Sequence, residues 1–202
     1  MLLVNLIGEP GAGKSTMAAG LFHALKSRHW NAELVTEYTK ELILTEDRWT
    51  LSDELIVFAE KYRRIRKLER VDVVVTDSPL INSIVYGQTQ FGPSGGAFFE
   101  AVSRRFDSIY FAVKRVVPYI SYGRMPDEAA AAKAGKEIVE HLNRITSDWQ
   151  WVDGSDEGLP QLVAAVEAEA GKRGLSPIMP GGAPRNVEQS PARLAPGLDT
   201  IS

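Results

Sequence analysis

One short segment near the start of the chain limits most strongly what the chain can fold into. A run of six mainly apolar residues, Leu2 to Ile7, leads directly into GEPGAGKS at residues 8–15, and a helical pattern follows. The spacing GxxxxGK(S/T) between a strand and a helix is the P-loop, whose glycines adopt backbone angles that side chains would block. Amide groups in such a loop point inward and hold phosphate oxygens. The sequence therefore predicts a domain that binds a nucleoside triphosphate, for which we expect ATP with Mg²⁺.

Several residues of this loop have a predicted role of their own. The Lys14 ammonium is expected to reach the β- and γ-phosphates, and the Ser15 hydroxyl is expected to bind Mg²⁺. The helix that begins near Lys14 adds the positive end of its dipole to the same site, and we expect Thr16 to face the α-phosphate. An accidental match in a glycine-rich turn would lack the flanking strand and helix. The predicted nucleotide-binding residues are Gly8, Glu9, Pro10, Gly11, Ala12, Gly13, Lys14, Ser15 and Thr16.

Hydrophobic periodicity along the rest of the chain predicts strands that alternate with helices. The second strand of this pattern is expected at 32–38, and a long amphipathic helix at 51–70 is capped by Ser52 or Thr50. Such alternation predicts an α/β fold of the P-loop NTPase type, with a mainly parallel five-stranded sheet and helices on both faces. The remaining predicted strands are 71–76, 107–114 and 149–152, and the remaining helices are 14–28, 127–145 and 158–173, with weaker helical signals after Pro79 and at 97–105.

Composition limits the domain organisation and the class of partner. Residues 1–173 are predicted to form one domain, whereas the Pro- and Gly-rich segment 174–202 is predicted to be a disordered tail. The 202 residues include no cysteine, which excludes disulfides and thiolate metal sites and fits a reducing cytoplasm. The net charge of −3 excludes a chain that is basic throughout, so any nucleic-acid contact requires a local patch. No apolar run is long enough to cross a bilayer.

Two acidic residues follow predicted strands and are candidates for chemistry. The segment VVVTDSPL brings Asp77 to the carboxyl edge of the sheet, where its carboxylate could hold Mg²⁺ or accept the proton of an attacking hydroxyl. The simpler alternative is that Asp77 caps the turn before Pro79. Glu37 ends the second predicted strand and is the rival candidate for general base, or an exposed carboxylate that begins a loop.

A polar segment after the fourth predicted strand has the character of a lid. It spans residues 115–127 and contains Arg115 and Arg124. Arginine is suited to spread the charge of a transferring phosphoryl group, and a mobile loop can close over a nucleotide and exclude water. The alternative is a surface loop with two solvated arginines. The chain also has no Asn-Lys-x-Asp motif for guanine and is short for a ring ATPase.

The P-loop, the aspartate after the third strand and the arginine-bearing segment together resemble the nucleoside and nucleotide kinases, especially the thymidylate-kinase-like group. The resemblance covers about residues 2–173, with one departure, because Ser78 stands where thymidylate kinases usually have arginine. The stretches TDSPL and Y-x-x-x-GR (Tyr119, with Gly123 and Arg124) are similar to small bacteriophage kinases that phosphorylate 5-hydroxymethyluracil in DNA. The resemblance implies ATP-dependent transfer to a primary hydroxyl in the cytoplasm (the host cytoplasm for a phage protein), with Asp77 or Glu37 as base.

A basic segment bears on whether the acceptor is DNA. EKYRRIRKLER, at residues 60–70, contains Lys61, Arg63, Arg64, Lys67 and Arg70, which could contact phosphates. Its alternative is a solvated helix face. Tyr62 or Phe58 could stack a base, although both follow the apolar stripe and are better explained as core residues. Two alternatives remain open at this point: a kinase of a free deoxynucleoside or nucleoside monophosphate, and a P-loop ATPase or switch without a phosphorylated product.

Overall fold

The computed structural model describes residues 1–116 and 128–179. Its centre is a five-stranded sheet whose spatial order is β2-β3-β1-β4-β5, and every neighbouring pair is parallel. This confirms the predicted fold class. The strands are β1 (Leu2–Ile7), β2 (Ala32–Val35), β3 (Val73–Thr76), β4 (Asp107–Lys114) and β5 (Trp149–Asp153).

Helices cover both faces of this sheet because its central strand is buried on both sides. Leu2, Val4 and Leu6 of β1 contact one apolar cluster, whereas Leu3 and Ile7 contact another. The helices α1 and α7 pack in the first cluster, and α4, α5 and α6 contribute to the second. The helices are α1 (Lys14–Ser27), α2 (Tyr38–Leu44), α3 (Arg48–Leu51), α4 (Glu54–Arg66), α5 (Asn82–Ser103), α6 (Glu128–Ile145) and α7 (Leu159–Lys172).

The segment between β2 and α4 differs from the sequence prediction. The strand predicted to reach residue 38 ends at Val35, and the short helices α2 and α3 were not predicted. Long-range contacts hold α2, because the Arg64 guanidinium lies 4.7 Å over the Tyr38 ring and pairs with Glu41. The predicted cap of α4 is also wrong: the Asp53 side chain accepts hydrogen bonds from the Leu55 and Ile56 amides.

The two weak helical signals after Pro79 belong to one kinked helix, α5. Gly92 lies inside it with φ of 71°, and Pro93 follows. A positive φ favours glycine, and the proline nitrogen cannot donate a hydrogen bond, so the helix bends at this point. The kink explains why the sequence signal breaks into two parts.

The segment after α7 begins with irregular structure that returns to the domain. Leu175 packs against the first apolar cluster, and the Ile178 amide donates to the His29 carbonyl at 2.8 Å. The rest of the predicted tail, residues 180–202, lies outside the described residues, as does most of the predicted lid, residues 117–127. Within the described ranges, no helix combines the length and apolar character that a bilayer crossing requires.

Candidate functional site

The sheet order brings the P-loop and Asp77 to the same edge. Strands β1 and β3 are direct neighbours, with Asn5 of β1 paired to Thr76 of β3. Both strands are parallel, so the loops that follow them leave the sheet side by side. The carboxyl edge of a parallel sheet is where α/β proteins bind ligands, and this edge carries the candidate site.

The P-loop backbone depends on glycine at two positions that the sequence identified. Gly8 has φ of 150°, and a Cβ there would lie 2.6 Å from the Val113 carbonyl oxygen. Gly13 has φ of 91° and immediately precedes α1. The first amides of α1 therefore lie at the loop, where they and the helix dipole favour an anion. The local geometry has the features that phosphate binding requires.

The Lys14 side chain returns to the loop from which it comes. Its Nζ donates to the carbonyl oxygens of Gly8 at 3.0 Å and Glu9 at 3.1 Å. The ammonium therefore lies beside the loop amides. The hydroxyl-bearing residues Ser15 and Thr16 follow on the first turn of α1 and are exposed.

Asp77 is a buried carboxylate beside the P-loop. It is 4% exposed, and burial raises its pKa, with Glu37 adding to this effect. A hydrogen bond with Ser15 and the charge of Lys14 oppose the rise in pKa. Its Oδ1 atom is buried and has no hydrogen-bond partner among the described residues. A hydroxyl and an orphaned carboxylate oxygen side by side suit Mg²⁺, which binds few protein oxygens and retains water or phosphate ligands.

Glu37 lines the same cavity as Ser15 and Asp77. Its Oε1 accepts a hydrogen bond from the Thr39 hydroxyl at 2.8 Å. The cavity has a volume of about 150 Å³, well above the roughly 10–15 Å³ that one water requires. The cavity that these two carboxylates line therefore has room for more than a water molecule. The lining residues are Ser15, Thr36, Glu37, Lys40, Glu41, Leu44 and Asp77.

Arg115 contacts the P-loop, which the sequence did not reveal. Its Nε lies 2.9 Å from Glu9 Oε1, and both side chains are mostly shielded from solvent, at 16% and 19% exposed. The alternative of a solvated surface arginine is therefore wrong for Arg115. Arg124, the other predicted lid arginine, lies outside the described residues.

Two glycines that the sequence analysis did not select also shape the loop. Gly154 follows β5, donates its amide to the Lys114 carbonyl at 2.9 Å, and leaves no room for a Cβ beside the Ala12 carbonyl oxygen. On α6, a Cβ at Gly135 would lie 2.8 Å from the Glu9 Cβ. By itself, an Asp-Gly pair at the end of a strand is a signal for a turn only. The contact of Gly154 with residue 12 depends on the fold and has no local sequence signal.

Fewer basic side chains of α4 are free to contact nucleic-acid phosphates than the sequence indicated. Lys61 is 5% exposed and donates to the Ser83 hydroxyl, so its predicted role as a surface phosphate contact is wrong. Arg63 and Arg64 both pair with Glu60, and Arg64 also pairs with Glu41. The helix has 13 residues, about 20 Å, and its last turn lies toward the amino edge of the sheet, from which β3 starts.

The two aromatic residues of this segment belong to the core, as the sequence favoured. Phe58 is 3% exposed and stacks on Phe99 with ring centroids 4.2 Å apart. Tyr62 packs edge-on against Phe106 at 5.8 Å. These rings are engaged in packing and cannot stack a base without leaving it.

Comparison with known families identifies the domain. A family model described as an AAA domain matches residues 3–156, from β1 to the turn after β5. A search of curated proteins found no sequence that matches. The family match agrees with the parallel sheet and the P-loop geometry and supports nucleotide binding at this edge.

Proposed function

Because the chain belongs to the AAA domain family and retains its P-loop, we propose that it is an ATP-dependent kinase acting on a hydroxyl of a nucleotide-type acceptor. The observation that carries this proposal is the cavity of about 150 Å³ that Asp77 and Glu37 both line. It lies at the Ser15 side of the P-loop, where the end of a bound triphosphate is expected. In the proposed reaction this space takes the acceptor hydroxyl next to the γ-phosphoryl group.

In the proposed reaction, the acceptor oxygen forms a bond to the γ-phosphorus while the bond from that phosphorus to the β–γ bridging oxygen breaks. ADP leaves with the electron pair of the broken bond. The proton of the acceptor hydroxyl passes to Glu37, which lines the cavity. Loop amides and the Lys14 ammonium stabilise the negative charge on the phosphates. Arg115 is proposed to exchange its Glu9 partner for the γ-phosphoryl group and, with Arg124, to add positive charge there.

Ser15 and Asp77 are proposed to hold Mg²⁺ through the hydroxyl and the orphaned carboxylate oxygen. The ion supplies charge neutralisation at the β- and γ-phosphates when bound. Assigning Asp77 to this task leaves Glu37 as the base. The opposite assignment, with Asp77 as base, predicts that Glu37 is dispensable.

The specific acceptor that we propose first is the 5-hydroxymethyl group of 5-hydroxymethyluracil in phage DNA, which rests on the resemblance to phage kinases. One observation favours a second candidate, a free deoxynucleoside. Arg63 and Arg64 are neutralised by Glu60 and Glu41, and the last turn of α4 points away from the candidate site. Contacts to a DNA backbone near the cavity would then have to come from other residues.

The experiment is transfer of label from [γ-³²P]ATP in the presence of Mg²⁺ to three acceptors: DNA that contains 5-hydroxymethyluracil, free deoxynucleosides and their monophosphates. Labelled DNA supports the first acceptor, and a labelled nucleoside supports the second. Release of labelled phosphate without any labelled acceptor overturns the kinase proposal and identifies an ATPase or switch. Lys14→Ala is the control, because a transfer that survives this substitution does not come from the P-loop.

A further inference from the structure

Most of the wall of the acceptor cavity comes from one short segment, α2 with the residues just before it. Apart from Ser15 and Asp77, every described lining residue lies within residues 36–44. Glu37 directly precedes α2, and Lys40 follows three residues later. Residues with this spacing share a face of a helix, so one face of α2 is turned toward the cavity. The proposed reaction uses Glu37 and gives the rest of this face no role.

Contacts from α4 hold α2 in place. The Arg64 guanidinium donates two hydrogen bonds to the Glu41 carboxylate, one of them at 2.7 Å, and lies 4.7 Å over the Tyr38 ring. A helix of seven residues has little stability of its own, so these contacts determine where α2 lies. Lys40 is therefore carried at the cavity by a helix whose position is set from outside it.

The carboxylates nearest to Lys40 along the chain have other partners. Arg64 binds Glu41, and Glu37 Oε1 accepts a hydrogen bond from the Thr39 hydroxyl at 2.8 Å. Lys40 is exposed and forms no ion pair with any described residue. The described lining of the cavity contains no other lysine and no arginine. The Lys40 ammonium is thus the positive charge of this lining that remains for an anionic ligand.

The position of Lys40 indicates which anion it meets. The phosphates of ATP are expected at the loop amides, at Lys14, and at the metal proposed for Ser15 and Asp77. Lys40 is displaced from Glu37 by about 4.5 Å along the helix axis, at 1.5 Å per residue. It therefore lies on the acceptor side of the cavity, close to the proposed base. The anionic group of a nucleotide-type acceptor is its phosphate, for which lysine is a common ligand.

We propose that Lys40 binds a phosphate of the acceptor nucleotide while the acceptor hydroxyl lies at Glu37. This inference rests on the proposed kinase function and names its substrate class, which is an acceptor that carries a phosphate. The group is a phosphodiester in a DNA strand or a phosphomonoester in a free nucleotide, whereas a free nucleoside lacks it. Lys40 then supplies the backbone contact that the ion-paired Arg63 and Arg64 do not.

The test compares Lys40→Gln with Lys40→Arg, which keeps the charge, in the labelled-ATP assay. The three acceptors are 5-hydroxymethyl-2′-deoxyuridine, its 5′-monophosphate, and a single-stranded oligonucleotide that contains the same base. We expect Lys40→Gln to raise the KM of a phosphate-bearing acceptor by about 10-fold. The kcat and the KM for ATP should not change, because the lysine binds the acceptor equally in the ground and transition states. Lys40→Arg should retain a KM close to that of wild type.

The matched control is Lys172→Gln, which removes the same charge from an exposed lysine in the last turn of α7. This variant should keep the wild-type KM for every acceptor. A KM that rises in Lys40→Gln for the oligonucleotide assigns the phosphate to a DNA strand, and the slope of log binding constant against log salt should then fall by about 0.7. A KM that rises for the monophosphate assigns it to a free nucleotide.

Three results would overturn the inference. The first is a nucleoside KM as low as that of the phosphate-bearing acceptors in wild type. The second is a phosphate-bearing acceptor whose KM is the same in Lys40→Gln and wild type. The third is a rise in the KM for ATP in Lys40→Gln, which would place the lysine on the nucleotide instead.

A binding experiment separates this inference from the kinase proposal. If no acceptor is labelled, calorimetry measures the binding of the monophosphate and the oligonucleotide to the protein saturated with Mg·ADP. Binding that is weakened in Lys40→Gln supports the phosphate site even though the kinase proposal has failed. Binding that Lys40→Gln leaves unchanged overturns the phosphate site, and the absence of binding overturns both proposals.

Discussion

The contact between Gly154 and the P-loop provides a sharp test of how the nucleotide site is built. Gly154 follows β5, and a methyl group at its Cα would overlap the Ala12 carbonyl oxygen and lie 3.0 Å from the Lys114 carbonyl oxygen. Its φ does not lie in the positive range that disfavours alanine. The substitution Gly154→Ala is therefore unfavourable for steric reasons alone. Two of the three atoms in the way belong to backbone, and the third is Val113 Cγ1 at 3.0 Å.

The size of the effect follows from what must move. Relieving the overlap requires the Ala12 peptide or the turn after β5 to shift by about 1 Å, and a displacement of this size in a binding site costs about 100-fold in activity. Ala12 is buried, so its peptide has little space to retreat. We expect Gly154→Ala to weaken Mg·ATP binding by at least about 10-fold and to reduce turnover by about 100-fold.

Isothermal titration calorimetry with Mg·ATP measures the first effect, and circular dichroism confirms that the variant is folded. The matched control is Gly171→Ala on α7, where an added Cβ meets no atom within 4 Å. Alanine at this helical position should keep the wild-type affinity and stabilise the fold by about 0.5–1 kcal/mol. A folded Gly154→Ala protein with wild-type affinity for Mg·ATP would refute the close packing of this turn on the P-loop.

Substitutions at four ionisable side chains test the rest of the site. Lys14→Ala should lower the transfer rate by about 100- to 1,000-fold, because it removes charge from the phosphates, and the labelled-ATP assay measures this loss. Asp77→Asn should abolish most turnover. It should also raise the melting temperature at pH 7, because burial raises the Asp77 pKa and the ionised carboxylate destabilises the fold. This gain in melting temperature should vanish below pH 3.8, where the carboxyl is protonated in both the folded and unfolded states. Glu37→Gln should lower kcat while ATP affinity stays constant, and unchanged kcat would transfer the role of base to Asp77. Hydrogen bonds from Arg63, and to a lesser extent Arg64, lower the Glu60 pKa to about 2. The stabilisation that Glu60 contributes is therefore present above pH 4.5 and is lost toward pH 2. Glu60→Gln should therefore be destabilised at pH 7 by less than about 1 kcal/mol and should match wild type at pH 2 in thermal melts.

The sequence predicted those parts of the molecule that are encoded in contiguous residues. The P-loop could be predicted because its strand, glycines, lysine and helix follow one another within Leu2–Ser27. Strand β4 was predicted with its correct bounds, because its apolar residues form one continuous run. Helices α2 and α3 were missed because they are short, and α2 is held by Arg64 from a distant helix. Propensity alone stabilises such short helices poorly.

The burial of Lys61 was a different kind of failure, since the sequence did contain a signal. Val57, Phe58, Lys61 and Ile65 follow the three- and four-residue spacing of one helix face, and all four are buried. The sequence analysis assigned Lys61 to the surface because of its charge, although its position in the apolar stripe indicated burial. The contacts of Gly154 with Ala12 and of Arg115 with Glu9 had no comparable signal, because each depends on the sheet order.

The distribution of buried charge supports an active role for the carboxyl edge. Three buried ionisable groups cluster around Glu37. Glu37 acts electrostatically on Lys61 and Asp77, and Lys61 acts on Glu54. Desolvation is the largest influence on the pKa of each of the three groups. A fold gains little stability from ionisable groups in such positions, because a buried ion pair is weak evidence for stability and a single buried charge is unfavourable. Apolar residues of similar size would pack α4 against α5 more favourably. The presence of such groups around Glu37, with Asp77 also beside Ser15 of the P-loop, is therefore best explained by the chemistry proposed for this edge, for which buried and perturbed groups are useful.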